Sequence, residues 1–190
     1  MTSLLTHHRF TVEEYQKLAD ILPPESRVEL IDGEVVEMSP IGWKHLWTVE
    51  RLGELLRDAL GTTAVVIMEK PVVLAASSVP QPDLAVLRPS PGLRQRLPET
   101  VDVLVLMGVS DATLAKGLGI KAPLYAQCGI AELWIVDLDH NVIEQHTQPL
   151  TGRYTHLRSY RRGETITGAT LPRLSLAVDS ILPEPAESAI

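Results

Sequence analysis

Between Thr151 and Gly163 the chain carries Arg153, Arg158, Arg161 and Arg162, with Tyr154, His156 and Tyr160 interleaved and no carboxylate. Guanidinium groups meet phosphate oxygens through a planar fork of donors, so this stretch is the best local candidate for phosphate contacts. A solvated outer strand face is the competing reading, because Arg158 and Tyr160 alternate as on any edge strand. Asp83, after Gln81-Pro82, suits a carboxylate that hydrogen-bonds a loop amide at a strand entry. Lys121 by itself reads as a solvated helix residue. Cys128 sits where a helix should end, and the negative end of a helix dipole disfavours a thiolate. His7, His8, His140, His146 and His156 have no ligand-like grouping. No Ser/His/Asp or Cys/His triad emerges. Gly117-Leu118-Gly119 lacks the longer phosphate-cradling pattern, so no nucleotide cofactor is expected.

These groups must be positioned by the elements around them. Thr11-Val12-Glu13-Glu14 has the spacing of a capping box and predicts a short helix that stops before Pro23. Arg27 to Met38 reads as two strands joined at Asp32-Gly33, a strong hairpin signal. From Pro40 to Leu60 the residues Leu46, Val49, Leu52, Leu55, Leu56 and Leu60 recur at helical spacing, and Gly61 ends the run. Short Val-, Leu- and Ile-rich runs predict strands at Ala64–Met68, Pro71–Leu74, Leu84–Leu87 and Val101–Val109, the last apolar on both faces as at a sheet centre. A helix is expected from about Ala112 to Cys128, weakened by Gly117, Gly119 and Pro123. Strands follow at Leu133–Val136, Val142–His146 and Tyr154–Tyr160. Strands before and after one central helix indicate an α/β (α+β) fold, a mixed central sheet flanked by helices with an N-terminal helix and β-hairpin in front.

The 190 residues, 45% hydrophobic and 22% charged, suit one globular domain, expected over 1–182 with a flexible tail over 183–190. A net charge of −7 argues against coating of a polyanion by the whole surface and leaves room for a local basic patch. With 4% aromatic residues, extended base-stacking platforms are not expected. One cysteine cannot form an internal disulfide, no segment approaches the roughly 20 apolar residues of a membrane span, and the N-terminus lacks a signal-peptide pattern. A cytoplasmic protein without membrane contact is the expectation.

Taken in order, Arg27-Val-Glu-Leu-Ile-Asp-Gly-Glu-Val-Val-Glu-Met-Ser-Pro40, His45, Gln81-Pro-Asp-Leu-Ala-Val-Leu-Arg-Pro89, Val109-Ser-Asp111 and the run from Lys121 to Asp137 resemble the Uma-type family of bacterial restriction endonuclease-like proteins. The match runs from about Phe10 to Leu182. That family belongs to the PD-(D/E)XK nuclease superfamily. The resemblance implies a restriction endonuclease-like core, hydrolysis of DNA phosphodiesters with Mg²⁺ (or Mn²⁺), and a homodimer. Two acids and a cation are the minimum for such chemistry, because the ion must polarise the phosphoryl oxygen and acidify the attacking water. By resemblance, Asp83 is the first metal-binding acid and Lys121 the catalytic lysine, moved onto the helix after the core strands.

The second acid is where this chain departs from the pattern. Similar proteins read Glu-Val-Ser-Asp or Glu-Val-Ala-Asp where this one reads Gly108-Val109-Ser110-Asp111, and Gly117 and Gly119 also stand at positions that usually or often carry acids. A glycine inside a strand costs about 0.5–1 kcal/mol, so folding needs do not explain Gly108. The expectation is an impaired endonuclease, or a catalytically inactive binding or assembly module on the same fold. Glu69, one strand earlier, is a substitute metal ligand by this reading, and Glu34, Glu37, His45 and Asp111 are possible neighbours of the site.

Overall fold

The computed structural model describes residues 7–23, 26–110 and 115–184, with the backbone alone for 115–118. Helix α1 spans Val12–Ile21, and its capping box forms as expected. The Glu14 N–H donates to Thr11 Oγ1 (3.2 Å) while the Thr11 N–H donates to Glu14 Oε2 (2.8 Å). Strands β1 (Val28–Ile31) and β2 (Glu34–Glu37) form an antiparallel hairpin. Its turn places both Asp32 (φ 48°) and Gly33 (φ 79°) in the left-handed region, the requirement of a two-residue turn matched to strand twist. A Cβ at Gly33 would also stand 2.9 Å from Arg9 Cβ.

Helix α2 (Trp43–Leu60) buries His45, Thr48, Val49, Leu52, Leu56 and Leu60, and the Gly61 N–H closes it on the Arg57 carbonyl. Leu46, expected on the apolar stripe, is instead 48% exposed, as are Trp43 (70%) and Trp47 (42%). The physical reason is angular. With 3.6 residues per turn, Leu46 lies about 100° round the helix from His45, and the stripe facing the sheet runs through 45, 48, 49 and 52.

Strands β3 (Val65–Met68), β4 (Leu84–Leu87), β5 (Val103–Ser110), β6 (Glu132–Asp137), β7 (Val142–Leu150) and β8 (Arg153–Tyr160) form one mixed sheet in that order. All neighbours are antiparallel except β5 and β6, which run parallel and are joined through helix α3 (Ala115–Gln127). A parallel pair needs such a crossover. The start expected for this helix near Ala112 lies outside the described residues. Strand β5 is buried along nearly its whole length, as its two-faced apolarity predicted. Val105, Met107 and Val109 join the core beneath α2, and Leu106 joins the core that contains Tyr125 of α3. Each fully buried aliphatic side chain there contributes about 1.5–3 kcal/mol.

The strand expected over Pro71–Leu74 is not part of any sheet. Val72 and Leu74 are buried, but their N–H groups pair with the Pro80 and Ser78 carbonyls, and only isolated bridges at Val73 and Ala75 remain. The alternating burial that mimics a strand arises here from a packed loop. Short β9 (Thr165–Thr167) and β10 (Ser175–Ala177) pair with each other, and α4 (Val178–Ile181) follows. The buried Glu132 carboxylate accepts hydrogen bonds from Trp134 Nε1 and Gln145 Nε2 (both 2.6 Å), from the Ala169 and Thr170 N–H groups (3.0 and 2.7 Å), and from Thr170 Oγ1 (2.8 Å). It thereby ties the 169–170 loop to β6 and β7. Among the described residues no helix is long and apolar enough to cross a membrane.

Candidate active site

Asp83 directly precedes β4. Continuing the Leu84 to Met107 pairing by one residue sets Asp83 opposite Gly108 at the end of β5. The Val109 N–H donates to Asp83 Oδ2 at 2.7 Å, which holds one carboxylate oxygen and leaves the other to its surroundings. Oδ1 lies 3.2 Å from Nε2 of His45, whose side chain is 2% exposed. That approach falls outside hydrogen-bond geometry, and among the described residues neither buried ring nitrogen of His45 has a hydrogen-bond partner.

Lys121 comes from the face of α3 turned toward the sheet, one turn before Tyr125. Its Nζ sits 2.8 Å from Glu29 Oε2 and 3.4 Å from the Gln81 carbonyl. Glu29 Oε2 also accepts the Gln81 N–H at 3.0 Å. Glu29 therefore links β1, the 81–83 segment and α3. Sequence reading passed over Glu29. Its signal was present in Val28-Glu29-Leu30-Ile31, where an acid shares a strand face with an apolar residue and is buried with it.

A cleft of about 100 Å³ is lined by Asp83, His45, Lys121, Glu29, Glu37, Arg27, Val109 and the 38–41 segment. A second cavity of about 20 Å³, room for roughly one water, is bounded by Asp83, Gly108, Lys121, Tyr125, Met107 and the Gln81-Pro82 dipeptide. Tyr125 is buried there and also borders this cavity. Burial first, then the Glu29 and Asp83 carboxylates, push its phenol well above the ordinary range, so it remains a neutral hydroxyl.

The structure thus brings Asp83, Lys121, His45, Glu37 and Gly108 around one place. Glu34 lies outside the cleft, exposed on β2 with Arg9 at 3.2 Å, and lines an adjoining groove of about 380 Å³. Glu69 has a left-handed φ of 48°, and its N–H donates to the Asp83 carbonyl (2.9 Å), but its carboxylate pairs with Arg27 at 3.5 Å and does not line the cleft. Asp111 lies outside the described residues. Arg153, Arg158, Arg161 and Arg162 belong to β8 and the turn after it, at the opposite edge of the sheet from β3. The Arg158 guanidinium carbon is 4.5 Å from the Tyr160 ring centre, and Arg162 pairs with Asp179 at 3.4 Å. Burial pushes the Cys128 thiol up, in keeping with an unreactive residue.

Among the described residues no three His, Cys, Asp or Glu side chains are grouped to hold a metal ion. Asp83 and His45 offer two donors, and a divalent ion held by one or two protein ligands completes its shell with water and substrate phosphate. The donor set fits an ion of that kind.

A family model described as "Uma2: Putative restriction endonuclease" matches residues 12–179. The chain belongs to the Uma2 family. The Uma2 match includes Glu29, His45, Asp83, Gly108 and Lys121, so the whole cleft falls within it. A crystal structure from Anabaena variabilis, titled as a putative nuclease belonging to DUF820, superposes with a TM-score of 0.69 at 15% identity. The match covers 90% of this chain and 97% of that one, and it establishes a shared fold. No curated protein matches the chain.

Proposed function

We propose that this Uma2 chain hydrolyses DNA phosphodiesters with a divalent cation held at Asp83, and that Gly108 keeps the activity weak. The observation that carries the reading is the Asp83 carboxylate, anchored through one oxygen on the Val109 N–H and opening into a cleft shared with Lys121. The ion, when bound, would polarise a phosphoryl oxygen and acidify a water. Lys121 would offset the charge that develops on the phosphate, and Glu29 holds its ammonium at the cleft wall. Tyr125 would donate its hydroxyl toward the same small cavity. Arg153, Arg158 and Arg161 on the β8 edge are the proposed backbone contacts, three strand spacings or about 14 Å from β5. A homodimer would present two such clefts to the two strands of a duplex.

Family membership and the fold shared with the Anabaena protein support this reading. Conversion of supercoiled plasmid to nicked circles in Mg²⁺ or Mn²⁺ tests it. The expected result is slow nicking that Asp83→Ala abolishes. Gly108, opposite Asp83, favours a second reading in which the fold persists as an inactive DNA-binding module. Salt-sensitive DNA binding without nicking in either metal would support that alternative.

A further inference from the structure

We propose that His45 is a direct ligand of the divalent ion, so that this site prefers a first-row transition ion with affinity for imidazole over Mg²⁺. The proposal deepens the metal-dependent reading above and rests on it. His45 is buried in the third position of α2, and neither ring nitrogen has a hydrogen bond among the described residues. Buried polar atoms are nearly always partnered, so Nε2, which faces the Asp83 carboxylate in the cleft without a hydrogen bond, calls for a ligand. The 3.2 Å between Nε2 and Asp83 Oδ1 is not a hydrogen bond, yet it suits two donors to one ion. At bond lengths of about 2.1 Å, donors at right angles stand ~3.0 Å apart and tetrahedral donors ~3.4 Å apart.

Both donors are held in place before any ion arrives. Asp83 is fixed through Oδ2 by the Val109 N–H, and the His45 ring stands on a helix anchored by Thr48, Val49 and Leu52. The nearby cations do not compete for Asp83 Oδ1, because Lys121 is engaged by Glu29 and Arg27 by Glu69. Gly108 adds no donor. Replacing a carboxylate ligand with a neutral imidazole removes one negative charge. That loss weakens the hold on a hard ion such as Mg²⁺, while nitrogen suits Co²⁺, Ni²⁺ or Zn²⁺.

The test is calorimetric titration of the full chain with Co²⁺ and with Mg²⁺, joined to pulsed EPR of the Mn²⁺-loaded protein, which reads nitrogen coupling without any variant. Co²⁺ is expected to bind roughly tenfold or more tightly than Mg²⁺. His45→Ala should cost Co²⁺ about tenfold or more and Mg²⁺ less than about threefold, and Asp83→Asn should cost both. His45→Gln serves if the alanine variant does not fold. Co²⁺ binding that His45→Ala leaves intact but Asp83→Asn removes, with no nitrogen coupling, overturns the imidazole ligand and leaves a metal at Asp83. Co²⁺ binding that survives Asp83→Asn is adventitious and also overturns it. If neither ion binds, this proposal and the metal-dependent function fall together.

Discussion

Lys121 Nζ and Glu29 Oε2 lie 2.8 Å apart, with side-chain exposures of only 15% and 7%. Removing one partner from a buried ion pair leaves an uncompensated charge, at a cost of about 3–5 kcal/mol. Glu29→Ala and Lys121→Met should each lower the urea midpoint accordingly, and the double variant should lose much less than the two together. Additive losses in the double-mutant cycle would show that the two groups do not interact.

Gly108 is the position from which a carboxylate would face Asp83. Gly108→Glu is therefore expected to tighten divalent-cation binding and to raise plasmid nicking above that of the parent chain. Calorimetry and the nicking assay read the two effects separately. An unchanged rate in a folded variant would show that the glycine is not what limits activity.

The Glu132 carboxylate receives five hydrogen bonds from buried or half-buried donors. Each donor stranded without its acceptor costs about 1–3 kcal/mol. Glu132→Ala should thus destabilise the chain by more than about 3 kcal/mol. Tyr160→Phe, which removes only the hydroxyl that donates to Gln145 Oε1 (2.9 Å), should cost about 1 kcal/mol. Equal urea midpoints for the two variants would contradict this ranking.

Asp102 is gripped by Arg96 through two hydrogen bonds (2.7 and 3.1 Å), and that contact, with the Glu99 N–H, holds its carboxyl below the ordinary value of 3.8. A carboxyl whose folded value is depressed binds protons more readily when unfolded. Its contribution is complete above the unfolded value and drains away as pH falls through about 4 toward the folded one. Asp102→Asn should flatten the acid limb of thermal stability below about pH 4 and leave the profile above pH 6 parallel to that of the parent. Melting temperatures across that range check it.

The hairpin at Asp32-Gly33, the capping box of α1, the span of α2 and the buried centre at β5 were legible in the sequence because each is encoded by neighbours within one or two turns of chain. The family, and with it the placing of Asp83 and Lys121 at one site, was legible through blocks of residues whose order and spacing match. Chain order does not state which distant groups meet. Burial of Glu29 against Lys121, the rotation of α2 that turns His45 inward and Leu46 outward, the diversion of Glu69 to Arg27 and the closing of Glu132 among five donors all depend on contacts far apart in the chain. The tertiary structure decided these, because a side chain's partner is set by the register of strands and the angle of a packed helix. Short-range propensity carries no record of either.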